Sequence, residues 1–122
     1  MSSNVSYEFN QERNLVSVIY SGGITVEMLI EFSEKIVSDP LYRRGMNALC
    51  DLTKSTFDWS LDDIDKYGKY VMQLRKKIGE AHWAVVTAGG VTDHTARIFT
   101  LLHEQHDKTI VLKIFSNRAD AI

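Results

Sequence analysis

The residues best suited to chemistry lie in one segment, residues 51–60, which reads Asp-Leu-Thr-Lys-Ser-Thr-Phe-Asp-Trp-Ser. It carries two carboxylates, four hydroxyl groups and one indole. Carboxylates and hydroxyls can fix the polar end of a ligand, and an indole supplies apolar surface beside them. One interpretation is therefore a small ligand or partner site that contains Asp51, Thr53, Asp58 and Trp59.

The last residue of this segment has a second interpretation. Short polar side chains bond readily to nearby backbone, so Asp58 can be an ordinary turn residue and Ser60 the N-cap of a helix. Asp63 follows Ser60 by three residues and completes a capping-box pattern. An exposed hydroxyl at a helix N-terminus also tolerates a phosphate, because the helix dipole is positive there. Ser60 is therefore a predicted cap and a candidate phosphorylation site.

The other nucleophiles and metal ligands do not match a known motif. His103 and His106 are three residues apart, whereas the His-Glu-x-x-His zinc motif needs a spacing of four to aim both imidazoles at one ion. The sequence contains neither Gly-x-Ser-x-Gly nor the Gly-Lys-Ser/Thr ending of a phosphate-binding loop. Cys50 lies in an apolar stretch, which is typical of a small core residue. We expect no cofactor, no metal site and no catalytic residue.

Two predicted helices carry more apolar residues than a core stripe needs. Met28 and Phe32 are four residues apart at the flank of the first helix, and Tyr67, Tyr70 and Met72 widen the second. Wide apolar faces either extend the core or line a ligand cavity or an interface. Met28, Phe32, Tyr67 and Tyr70 are candidate ligand or partner contacts. A ligand site would need a cavity of several hundred Å³ lined by these residues or by Trp59.

The spacing of apolar residues predicts the order β-β-α-β-α-β-α-β. Period-two alternation and short apolar runs indicate strands, and apolar residues at helical spacing indicate helices. The helices should begin at caps Thr25, Ser60 and Asp93. The predicted strands are 5–9, 15–20, 48–52, 83–87 and 110–115.

Glycine, proline and capping residues set the predicted ends of these strands and helices. Gly22-Gly23 should break the second strand, Asp39-Pro40 should end the first helix, and Gly79 should end the second. Ser116 is expected to cap a final helical turn near the end of the sequence.

Strands that alternate with helices imply parallel pairing through right-handed crossovers, and the opening hairpin makes the sheet mixed. The sequence thus predicts an α/β fold with a single mixed five-stranded sheet. Polar residues at alternate strand positions, such as His82 and Lys113, indicate that helices cover mainly one face. The other face is either an ordinary solvent-exposed surface or a site for a partner or a ligand. Ligands also gather at the carboxyl ends of such strands, where we expect segments 21–23, 51–60, 87–94 and 116–117 to meet.

Composition and charge narrow the class of protein. The 122 residues are 44% apolar and 25% charged, as in one ordinary globular domain spanning 1–122. The net charge of -2 comes without a basic stripe, which argues against nucleic-acid binding. One cysteine makes no internal disulfide, and no apolar stretch is long enough to cross a membrane. Without a signal-peptide pattern at its start, the chain is expected to be cytoplasmic.

Several short pieces, in this order and spacing, resemble the SpoIIAA-like family of small domains related to STAS and CRAL-TRIO folds. The pieces are 15–18 with 21–25, Asp39-Pro40 with Tyr42 and Gly45, 50–53, 78–79 with 83–87, Ala96-Arg97, and 111–115 before 119–121. The resemblance runs through nearly the whole chain. It implies a mixed sheet with helices packed mostly on one side, and it does not imply an enzyme.

The resemblance also implies two kinds of function. The name-giving relatives are anti-sigma-factor antagonists regulated by phosphorylation of a serine in an Asp-Ser-Ser-Gly turn. Here Asp58 and Ser60 match that turn, whereas Trp59 and Leu61 replace its first serine and its glycine. CRAL-TRIO relatives bind apolar ligands in a cleft.

Three functions are therefore open at the level of sequence. The first is a non-catalytic regulatory or protein-interaction module, which uses the carboxyl-edge loops and the first helix and could form a homodimer. The second is a domain that binds a small apolar or lipid ligand. The third is a small hydrolase, in which His94 would have to meet Ser55 or Ser60 beside Asp51 and Asp58.

Overall fold

The computed structural model describes residues 3–106 and 110–117 as an α/β fold. The five strands of that part are β1 (Asn4–Asn10), β2 (Leu15–Gly23), β3 (Asn47–Thr56), β4 (Ala81–Val86) and β5 (Ile110–Phe115). Its helices are α1 (Val26–Val37), α2 (Leu61–Ile78) and α3 (Gly90–His106). The predicted class and element order are confirmed.

The strands form one mixed sheet in the order β1-β2-β3-β4-β5. β1 pairs antiparallel with β2, and the remaining neighbours pair in parallel. Each crossover steps to the next strand in the same direction, so right-handed connections place all three helices on the same face. In agreement, α2 contacts both α1 and α3. We call the two sides the helix-covered face and the open face.

The hydrophobic core lies between the helix-covered face and the three helices. Along β2, Val16, Val18 and Tyr20 are buried against the helices, and the residues between them point to the open face. The helices contribute apolar residues at helical spacing, as the sequence predicts. Among these buried residues are Val26, Leu29, Ile36, Tyr67, Val71, Leu74 and Ile78. One residue of the predicted buried stripe of α2 is an exception: Leu61 is 66% exposed, because it is the first residue of the helix and lies at its end.

The helix caps are partly as predicted. Thr25 caps α1, and its hydroxyl accepts a hydrogen bond from the Met28 backbone N at 3.2 Å. α1 ends at Val37 with Ser38 as its C-cap, just before Asp39-Pro40. The prediction that Asp93 caps α3 is wrong, because the helix begins at Gly90 and Asp93 lies in its first turn.

Two strands run further than predicted. Gly22 and Gly23 do not break β2, because they pair with Ser55 and Thr56 of β3. The sequence shows a Gly-Gly break, but the neighbouring strand supplies partners that keep the glycines in the ladder. Segment 21–23 is therefore strand and not a free carboxyl-edge loop. The helical turn predicted after Ser116 falls largely outside the described residues.

Candidate functional site

Asp51 and Thr53 stabilise a bulge in β3. Asp51 pairs with Ile19 of β2, whereas the next paired residue of β3 is Lys54, opposite Ser21. Two β3 residues thus oppose one β2 residue, which disrupts the regular ladder at Thr53. Asp51 Oδ1 accepts hydrogen bonds from the Thr53 backbone N at 2.9 Å and from Thr53 Oγ1 at 2.6 Å. The carboxylate therefore holds the local backbone of the bulge.

Ser60 is the N-cap of α2 in a complete capping box. Its Oγ accepts a hydrogen bond from the Asp63 backbone N at 3.1 Å, and Asp63 Oδ2 accepts one from the Ser60 backbone N at 3.1 Å. The predicted cap is confirmed. Ser60 is exposed, as is the neighbouring Asp58.

Trp59 is anchored in the helix-side packing. Its indole Nε1 donates to the backbone carbonyl of Ile24 at 2.8 Å. Its ring lies 5.5 Å from Phe57 and 5.7 Å from Tyr67, measured between centroids. Tyr67 is buried, and its hydroxyl lies 2.9 Å from Ser33 Oγ. These contacts join α1, α2 and the segment between β3 and α2, and they give both aromatic residues a structural role.

The other predicted aromatic and apolar contacts also pack on the core. Met28 and Phe32 are half-buried against the main apolar cluster. The hydroxyl of the half-buried Tyr70 donates to Glu34 Oε2 at 2.6 Å, which ties α2 to α1. Burial, and then the hydrogen bond to Glu34, raises the pKa of Tyr70 above its ordinary value. Core extension therefore accounts for these three residues.

The cavities on the helix side are small. Two apolar cavities of about 60 and 90 Å³ are both lined by Tyr20, Cys50, Tyr67 and Trp83. Trp59 lines the second, whereas Met28, Phe32 and Tyr70 line neither. A larger space of about 220 Å³ between α2 and α3 is lined by Met72 but by none of Met28, Phe32, Trp59, Tyr67 and Tyr70. The cavities at those five residues are therefore far smaller than the several hundred Å³ that a ligand site there would need, because aromatic rings pack in the space between helices and sheet.

The structure does not bring the predicted site residues into one pocket. Asp51 shares the open face with Leu49, whereas Trp59 packs on the helix-covered side. The predicted meeting of segments 51–60 and 87–94 does occur. Thr92 Oγ1 accepts from the Phe57 backbone N at 3.1 Å, and Thr95 Oγ1 donates to the Phe57 carbonyl at 2.6 Å. These two buried hydroxyls link α3 to the end of β3.

A groove of about 310 Å³ on the open face is larger than each of the three spaces on the helix side. It extends from the amino ends of β2 and β3 across β4 to β5. Its floor is apolar, and Leu49 at its centre is only 3% exposed. Its lining residues are Arg13, Leu15, Asn47, Ala48, Leu49, His82, Trp83, Ala84, Val111, Lys113 and Phe115.

The polar groups at this groove are mainly hydrogen-bond donors. Arg13 and Lys113 are exposed cations, and His82 is also exposed. The Asn47 side-chain oxygen is engaged, because it accepts from the His82 backbone N at 2.9 Å. The described lining residues include no carboxylate, hydroxyl or thiol. The groove therefore combines an apolar floor with a cationic rim.

The alternation of side chains along β4 and β5 was the signal for this groove. His82 and Ala84 of β4 share a face with Val111 and Lys113 of β5, as the register shows. That alternation predicted a partly uncovered face. Arg13 was missed, because it lies in the turn between β1 and β2 and has no periodic pattern of its own.

The titratable groups near the sheet edge are engaged in structural contacts. Asp93 accepts hydrogen bonds from Arg97 Nε and from Thr87 Oγ1, both at 2.7 Å. The bond from Arg97, and then that from Thr87, lowers the pKa of Asp93. Burial raises the pKa of the Cys50 thiol to about 12, so it is protonated at neutral pH.

The described residues contain neither a metal-ligand cluster nor a membrane-spanning helix. Across 3–106 and 110–117, no three His, Cys, Asp or Glu side chains are grouped closely enough to hold a metal ion. No helix in those ranges is both long and apolar enough to cross a membrane.

Comparison with known proteins supports the fold. No protein-family model matches the chain, and no curated protein matches it. A similar solved structure is that of an uncharacterized protein from the DUF3478 family with a SpoIIAA-like fold, from Shewanella loihica PV-4. The two share 19% identity with a TM-score of 0.58, over 99% of this chain and 95% of that chain. The chain therefore adopts the SpoIIAA-like fold, as its resemblance to that family implies.

Proposed function

We propose that the protein is a non-catalytic interaction module, which binds a partner protein on the open face of its sheet. The observation that carries the proposal is the 310 Å³ groove on a sheet whose other face is covered by three helices. An apolar centre surrounded by a polar rim is typical of protein-binding surfaces. The predicted carboxyl-edge loops are less suited to binding a partner, because their hydroxyl and carboxylate groups already make hydrogen bonds within the chain.

The chemistry of the groove favours binding over turnover. Catalysis of hydrolysis needs a nucleophile or a base held in place by an orienting group. The described residues that line the groove include no hydroxyl, thiol or carboxylate to act as nucleophile, and no carboxylate to orient the imidazole of His82 as a base. Cations above an apolar floor instead suit a partner surface that carries both apolar and acidic groups.

A photo-cross-linking experiment tests the proposal. A benzophenone amino acid replaces Val111, which is exposed beside the groove, and the protein is expressed in its own host cell. The control places the same group at Lys76, an exposed position on α2. We expect one discrete adduct from Val111 and none from Lys76, and Lys113→Glu should weaken that adduct. Equal adducts from both positions, or none from Val111, would contradict the proposal.

A second candidate function is binding of a very small apolar ligand on the helix side. The two cavities of about 60 and 90 Å³ share four lining residues, so a small movement could join them. An apolar cavity of about 150 Å³ can hold a benzene molecule. Benzene should then raise the melting temperature, and Cys50→Leu, which fills the space, should remove the effect. No shift with benzene, in the wild type or in Cys50→Ala, would exclude this candidate.

A further inference from the structure

The chain itself exposes a feature that matches the open-face groove. Leu61 is 66% exposed, the highest value among the large apolar side chains of the described residues. It is the first residue of α2; Asp62 follows it directly and Asp58 precedes it by three residues, and both carboxylates are exposed. We call these three residues the acidic knob.

The acidic knob and the groove are complementary in chemistry. The leucine tip matches the apolar floor around Leu49, and the two carboxylates match the cationic rim formed by Arg13 and Lys113. Opposite charges around an apolar contact favour docking in one orientation. The groove has no carboxylate among its described lining residues that would repel the knob.

The two features lie on opposite sides of the sheet. The groove includes Leu15, Asn47 and Val111, which stand at or near the amino ends of their strands. The knob follows the carboxyl end of β3, a strand of ten residues that spans about 33 Å. It also lies on the helix side of the sheet, so knob and groove of one chain cannot meet.

We propose that the acidic knob of one copy docks into the open-face groove of a second copy, head to tail. This rests on the proposed function, for which it names the partner. The contact is heterologous, so each molecule keeps a free knob or a free groove and the assembly can grow. A contact centred on one leucine is small, which predicts weak association with a dissociation constant of about 100 μM or above. Because charges contribute, added salt should weaken it.

A symmetric dimer through the open faces is the competing arrangement. Glu8, Leu49 and Lys113 belong to one row across the sheet, because Glu8 pairs with Ser17, Ser17 with Leu49, Leu49 with Ala84 and Ala84 with Lys113. A twofold axis along β3 would place Glu8 against Lys113 of the second copy. In that symmetric dimer the two grooves would face each other, and no side chain would enter either apolar floor. In the head-to-tail arrangement, Leu61 of the acidic knob occupies the floor of one groove.

Sedimentation equilibrium over a protein range from about 20 μM to about 1 mM tests the docking. Wild type should exceed the 13.9 kDa monomer as concentration rises. Leu61→Ser removes the knob tip, and Lys113→Glu reverses a rim charge; each should weaken association at least about tenfold. Leu101→Ser is a matched control, since Leu101 is 62% exposed on α3. Lys76→Glu is the charge-matched control, and both controls should behave as wild type.

Mixing the two defective variants separates head-to-tail docking from the symmetric dimer. Leu61→Ser keeps an intact groove, and Lys113→Glu keeps an intact knob. The knob of Lys113→Glu should therefore dock into the groove of Leu61→Ser. The complex should contain one copy of each variant and grow no further, because the remaining knob and the remaining groove are defective. In a symmetric dimer, Leu61→Ser would associate as wild type. Three results would overturn the proposal. They are wild-type association by Leu61→Ser, a wild type that stays monomeric at all concentrations, and a mixture of the two variants that forms no complex.

The outcomes also distinguish this inference from the proposed function. A monomeric wild type with a Val111 adduct to a different protein would overturn self-docking and leave the interaction module supported. Absence of both association and adduct would overturn both. A Val111 adduct to a second copy, mapped by mass spectrometry to residues 58–62, would support both.

Discussion

The indole nitrogen of Trp59 donates a 2.8 Å hydrogen bond to the backbone carbonyl of Ile24, a residue that is itself buried. The bond links the segment before α2 to the segment before α1, across 35 positions of sequence. Buried carbonyls need a donor, and this carbonyl receives one from a side chain. Trp59 therefore holds together two of the connections that leave the carboxyl edge of the sheet.

Trp59→Phe should lower the free energy of unfolding by about 1 kcal/mol, because it keeps an aromatic ring but leaves the Ile24 carbonyl without its donor. Urea denaturation followed by circular dichroism measures the change. The Val111 cross-link should persist in this variant at concentrations where it remains folded. A variant of unchanged stability that loses the cross-link would instead make Trp59 a binding residue.

Ser60→Ala should lower the free energy of unfolding by about 1 kcal/mol, since it removes the side-chain half of the capping box. Ser60→Asp should retain most of the stability, because aspartate is an equally good N-cap. Thermal and urea denaturation of both variants check this. If Ser60→Ala were as stable as wild type, the capping box would contribute nothing to the stability of α2 and the argument would be wrong.

The N-caps of α1 and α2 were predictable from sequence because their partners are close along the chain. Ser60 and Asp63 are three residues apart, as are Thr25 and Met28, and a local geometry fixes each bond. Four residues of the stripe of α2, Ile64, Val71, Leu74 and Ile78, were predictable for the same reason, because helical spacing decides which residues share a face. Leu61 was wrongly predicted to be buried, because spacing shows the face of a residue but not whether the neighbouring elements reach the end of the helix.

The open-face groove and the bulge were not predictable, because they depend on register between strands. The bulge at Thr53 exists only because two residues of β3 lie opposite one residue of β2. The groove joins a turn residue, Arg13, to Lys113, a residue one hundred positions away. Alternation within one strand shows which side a residue faces, but not which residues of other strands lie beside it.

Gly79→Ala should lower the free energy of unfolding by more than about 1 kcal/mol. Gly79 ends α2 with a φ of +68°, a conformation that costs any side chain free energy. A Cβ there would also lie 2.8 Å from Arg44 Cγ. Adding Arg44→Ala should recover the part of the loss that comes from this contact. Gly23→Ala is the control, because a Cβ at Gly23 meets nothing within 4 Å; equal losses in the two alanine variants would contradict the argument.

Asp93 should make the stability of the protein depend on acid pH. Hydrogen bonds from Arg97 and Thr87 hold its pKa below the ordinary value of 3.8, so the folded state favours the charged carboxylate. The stabilisation is present above the unfolded-state value and is lost as the pH falls through the lower folded-state pKa. The difference in melting temperature between wild type and Asp93→Asn should therefore shrink between about pH 5 and about pH 2. Asp65→Asn, which alters an exposed pair with Lys69 on α2, is the matched control. A pH-independent difference for Asp93→Asn would show that its contacts stabilise the fold without charge.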